Sequence, residues 1–187
     1  MGSFYVNFSV KSTNQSVIRT ALQQARRTAM VSPSIDGYTV VYDRGADTQD
    51  DAEILAVGTL LSQGVAAPTL AVLNHDDDIL YYWLFENGTL TDTYNSNPGY
   101  FYGEDEQPTT EMRAVENLCG GLGVPAAARK VYSILSNEED SALGRHDALV
   151  EALQLPAWSL GMGFNYLERG ELPSGLSAGD LFRIGQE

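Results

Sequence analysis

Apolar positions along the chain switch between two periods, and the switches divide it into elements. Phe4, Val6, Phe8 and Val10 alternate with polar or smaller neighbours, which predicts a strand over 3–10. Val17, Ile18, Ala21, Leu22 and Ala25 follow at helical spacing behind Thr13, so a helix capped by Thr13 is expected over 14–27. Residues 28–32 form a short β-prone run, Pro33 to Gly37 reads as a turn, and Tyr38 to Tyr42 as a second strong strand. Thr48, Asp50 and Asp51 open another helix, with carboxylates in the first turn where the helix dipole favours them, and Gly64 follows its last residue.

Thr69 to Asn74 is an apolar strand, His75-Asp76-Asp77-Asp78 a polar turn, and Ile79 to Glu86 a further strand. Asn87-Gly88 is the strongest hairpin signal in the chain, with Thr89 to Asn95 as the returning strand. The order strand–helix–strand–strand–helix–strand plus hairpin is that of an α+β fold with a ferredoxin-like βαββαβ core. Beyond Ser96 the pattern changes. A loop rich in acids, Pro and Gly at 99–109 separates an α+β sheet region, 1–98, from a helical region, 110–187. Helices are expected near 110–118, 126–135 and 145–154, with short helical turns over 156–187, all packed on the sheet as one unit.

Composition adds exclusions. With 187 residues, 43% apolar and 19% charged, the chain is that of an ordinary globular domain rather than a disordered one. One cysteine, Cys119, and two histidines, His75 and His146, leave no disulfide framework and no multi-cysteine zinc site. There is no basic leader before an apolar run and no apolar stretch near the roughly 20 residues of a membrane span. A cytoplasmic protein with no membrane partner is the expectation.

The net charge of −14 is unevenly spread. Residues 43–111 hold one basic group, Arg44, against 14 acids. A field of this sign repels nucleic-acid phosphates and favours a basic protein partner. Leu167-Glu168-Arg169-Gly170-Glu171 resembles the end of a phage-repressor recognition helix. However, Pro156, Gly161 and Gly163 interrupt the upstream helix, and the basic surface such readers need is missing.

Two constellations are candidates for chemistry. Asp43 and Asp47 follow one strand, and His75, Asp76 and Asp78 follow another; if these loops meet, their oxygens suit Mg²⁺, Mn²⁺ or Ca²⁺, although the sequence itself calls for no cofactor. A two-residue Asn87-Gly88 turn would place Phe85 opposite Leu90, Trp83 opposite Asp92 and Tyr81 opposite Tyr94. Trp83, Tyr81, Tyr94 and Asp92 would then share one face, a setting for a cationic or ring-bearing ligand.

No complete catalytic set is present. Gly175-Leu176-Ser177-Ala178-Gly179 has the spacing of a nucleophile elbow, but no histidine follows it. The composition therefore favours a non-catalytic binding or regulatory module of the inhibitor or immunity type. A metal-dependent hydrolase or transferase and a small-ligand binder are the alternatives.

Overall fold

A computed structural model describes residues 2–100, 108–137 and 140–185. Seven strands form one antiparallel sheet: β1 (Phe4–Val10), β2 (Ala29–Ile35), β3 (Tyr38–Asp43), β4 (Thr69–His75), β5 (Ile79–Glu86), β6 (Thr89–Asn95) and β7 (Phe182–Ile184). Their spatial order is β6-β5-β4-β1-β3-β2-β7. With the helices α1 (Gln15–Gln24), α2 (Asp51–Val65), α3 (Met112–Gly121), α4 (Ala128–Leu135), α5 (Ala142–Leu153) and α6 (Phe164–Glu168), this is an α+β fold. No helix among the described residues is long and apolar enough to cross a membrane. The boundary loop read at 99–109 lies largely outside the described residues, which omit 101–107.

Both faces of the sheet are covered, and strand alternation decides which residue goes to which face. Val6, Phe8 and Val10 of β1, Ala71 and Leu73 of β4, and Trp83 and Phe85 of β5 pack against Ile18 and Leu22 of α1 and Ile54, Val57 and Leu61 of α2. The opposite face sends Leu70, Val72, Leu80, Tyr82 and Leu84 against α3, α4 and α5. Beside them, Met30, Val40 and Tyr42 meet Phe164 and Leu167 of α6.

Local chemistry shifts several boundaries. Asn14 rather than Thr13 caps α1, its side chain accepting from the Val17 amide. Asp50 caps α2 by accepting from the Ala52 and Glu53 amides. Gly64 lies inside α2, and the left-handed position after it is taken by Ala66 at φ 53°. β2 continues through Pro33, which has no amide to give the ladder, by a register irregularity between Val31 and Ser34. The turn is therefore confined to Asp36-Gly37, both at positive φ.

The C-terminal stretch contributes the edge strand β7, paired with β2 through Ala29–Ile184, Met30–Arg183 and Val31–Phe182. Three residues are too few for a periodic signal, so this strand is not legible in the sequence. His146, which falls in the first turn of the helix expected over 145–154, is fully buried within α5.

Candidate functional site

The carboxylates expected to gather for a metal ion are held apart by separate structural tasks. Asp43, fully buried, takes a two-pronged contact from Arg27, with Nε at 2.9 Å and Nη2 at 2.5 Å, and accepts the Ala46 amide at 3.0 Å. Asp47 accepts the amides of Val6 at 2.9 Å and Asn165 at 2.8 Å, pinning the start of α6 to β1. Burial pushes its carboxyl above the usual range, against the pull of those donors. A side chain at Gly163 would collide with this carboxylate at 2.2 Å, so the turn into α6 needs a glycine there.

Asp76 accepts the Gly2 amide at 3.1 Å, and Asp78 accepts the Tyr100 hydroxyl at 3.2 Å. His75 donates from Nδ1 to Gln49 Oε1 at 2.6 Å. Asp43, Asp47, His75, Asp76 and Asp78 thus do not form one ligand set. Among the described residues, no group of three or more His, Cys, Asp or Glu is placed to hold a metal ion.

The aromatic face also divides. The hairpin opens in the expected register, Glu86 opposite Thr89 and Phe85 opposite Leu90. Thr91 is then an extra residue, so Leu84 pairs with Asp92, Trp83 with Thr93, Tyr82 with Tyr94 and Tyr81 with Asn95. A one-residue slip exchanges the faces of everything beyond it. Tyr81 and Trp83 stay on the α1/α2 side and stack at 4.0 Å with planes 10° apart. Asp92 and Tyr94 move to the other face. There the Tyr82 hydroxyl donates to Asp92 at 2.9 Å, and the Tyr94 hydroxyl to the Leu135 carbonyl at 2.8 Å. Burial raises the Asp92 carboxyl above its ordinary range. Trp83, Tyr81, Tyr94 and Asp92 therefore cannot line a single pocket.

Part of each constellation meets at one end of the sheet. A cleft of about 390 Å³ opens where β4 and β5 meet the start of α2, lined by Thr48, Gln49, Asp51, Leu73, His75, Ile79, Tyr81, Asn95 and Pro98. Leu73 and Ile79 are buried, and Tyr81 is half-exposed above Trp83. Asp51, at the first turn of α2, is exposed and close enough to Tyr81 that its charge, added to burial, holds the phenol proton.

Gln49 is braced in the left-handed region at φ 64° by donating Nε2 to the Asn74 carbonyl at 2.7 Å. This sets its oxygen to fix His75. Phe4, 43% exposed, packs edge-on against His75 at 4.9 Å, and Tyr100, 37% exposed, lies at 6.0 Å. Exposed Asp50, Asp76 and Asp78 stand on the neighbouring loops.

From the sequence, Asp51 registers only as a helix-start charge and His75 only as a metal ligand. Their shared cleft depends on a β4–α2 juxtaposition that no local pattern encodes. Cys119 is buried, and desolvation raises its thiol, so it is no activated nucleophile. Searches of family models, curated proteins and solved structures find no match to this chain.

Proposed function

We propose that this protein is a non-catalytic binding module that docks a basic protein partner at the cleft between β4, β5 and the start of α2, where exposed aspartates gather. In this reading a lysine or arginine side chain of the partner enters the cleft. The observation that carries it is Asp51 at the mouth of a cavity walled by Tyr81 and His75. A carboxylate beside an aromatic ring suits a cationic head, and the buried floor of Leu73 and Ile79 suits its alkyl stem. Exposed Phe4 and Tyr100 flank the cleft as aromatic anchors, with aspartates as a charged surround.

Two finer readings accompany this one. β1-α1-β2-β3-α2-β4 is read as a ferredoxin-like core, supported by the antiparallel order β4-β1-β3-β2 with α1 and α2 on one face. That likeness carries no function. A cytoplasmic location is read from the lone, buried Cys119.

The test is an amide-resolved NMR titration with an arginine-rich peptide and a matched acidic peptide, at low and high salt. The basic peptide should shift Gln49, His75 and Tyr81 saturably, weaken at least tenfold in Asp51→Asn, and weaken with salt. The acidic peptide should leave these signals in place. Shifts scattered over the surface, or unchanged in Asp51→Asn, would overturn the reading.

A further inference from the structure

The same end of the sheet carries a second cavity of opposite character. It lies between α6 and the β2–β7 edge, holds about 390 Å³, and its lining includes Thr28, Met30, Arg44, Phe164, Glu168 and Arg183. We propose that this pocket binds a small organic anion, with its charged oxygens between Arg44 and Arg183 and its apolar body on Met30 and Phe164.

Topology puts both guanidinium groups on one face. Arg183 stands opposite Met30 in the β2–β7 ladder, and Met30 packs against Phe164. Arg44 follows β3, is tied to β2 by its amide on the Thr28 carbonyl at 2.9 Å, and lies over the Phe164 ring at 4.9 Å. Arg44 also pairs with Glu168, but both side chains are more than 40% exposed. Such a screened pair is weak, and an entering anion competes with it at little cost.

Arg183 makes no ion pair and no side-chain hydrogen bond among the described residues. The lining therefore holds two guanidinium groups against one carboxylate, over a floor of buried Met30 and Phe164. Across Thr28 and Arg44 a neighbouring depression is lined by Arg26 and Arg27 but also by Asp50 and Glu53, and Arg27 is held by Asp43 and Glu53, so the uncompensated positive charge is confined to the pocket itself. Forked donors beside an apolar floor fit a planar carboxylate on a hydrophobic body better than a bare, strongly hydrated ion.

The test is NMR titration of the whole chain with benzoate and, separately, inorganic phosphate. Benzoate should shift the amides of Met30, Phe164 and Ile184 saturably and bind at least tenfold more tightly than phosphate. Arg183→Gln should weaken benzoate at least tenfold, Arg183→Lys should weaken it less, and Asp51→Asn should leave it unchanged. Arg183 is exposed on a three-residue edge strand, so its replacement leaves the core intact. Three results would overturn the proposal: no saturable shift at these amides, equal binding in Arg183→Gln, or phosphate bound as tightly as benzoate. Because Asp51→Asn separates the two cavities, either reading can fail without the other.

Discussion

The hydroxyl of Tyr5 lies 2.7 Å from Nδ1 of His146, joining the first strand to α5 across 141 residues of chain. Both side chains are fully buried, and the rings stack at 5.7 Å. The other ring nitrogen, Nε2, is buried without a partner, so protonating this imidazole would strand a cation in the core. Desolvation accordingly lowers the His146 pKa from 6.5 to about 3.

That depression makes stability depend on pH. Between its ordinary pKa of 6.5 and about 3, His146 binds a proton only in the unfolded chain. Unfolding then takes up a proton, and stability falls as pH drops through this window. At pH 5 the loss from this residue is about 2 kcal/mol. Denaturant melts at pH 7 and pH 5 should show it. His146→Gln, less stable at pH 7, should lose about 2 kcal/mol less than the parent between the two pH values. An identical loss in both proteins would refute the assignment.

Asp47 holds β1 and the start of α6 together through the Val6 and Asn165 amides. Asp47→Ala leaves one buried and one partly buried donor unmatched, at a cost of about 2–4 kcal/mol. For a domain of this size that lowers the melting temperature by roughly 5–15 °C. Asp47→Asn, which keeps one acceptor oxygen, should fall between. A melting curve unmoved by the alanine change would show that these bonds contribute nothing.

Arg27 bridges Asp43 at 2.5 Å and Glu53 at 2.7 Å, and Asp43 is fully buried. Removing the cation in Arg27→Met strands a buried carboxylate and should cost about 3–5 kcal/mol. Adding Asp43→Asn to the same chain should recover part of that, because the stranded charge is gone. If the double variant is no more stable than Arg27→Met, the cost arises elsewhere.

Gly58 lies in α2 against the Phe85 ring, where an added Cβ would sit 2.2 Å from a ring carbon. Ala in place of Gly ordinarily stabilises a helix interior by about 1 kcal/mol. Here overpacking wins, and Gly58→Ala should destabilise by about 1–3 kcal/mol. Phe85→Leu in the Gly58→Ala background should cost less than in the parent. Additive costs would mean that the two residues do not compete for space.

Much of the architecture follows from residues close together in sequence. Alternation in β1, the β-prone runs of β3 and β5, the apolar stripe of α1, the carboxylates opening α2 and the Asn87-Gly88 turn are local patterns, and each element forms within a few residues of its pattern. Residues that serve two elements at once are not legible this way. Asp47 reads as a loop acid until α6 supplies its donors, and His146 as a surface residue until Tyr5 faces it. One unpaired residue, Thr91, was enough to divide a four-residue aromatic and acidic face between two sides of the sheet. Side-chain period along a strand follows from covalent geometry, so the sequence by itself determined which residues could share a face. Which faces met, and which charges were neutralised inside, was decided only by tertiary packing, because those contacts join segments whose separation in sequence carries no periodic signal.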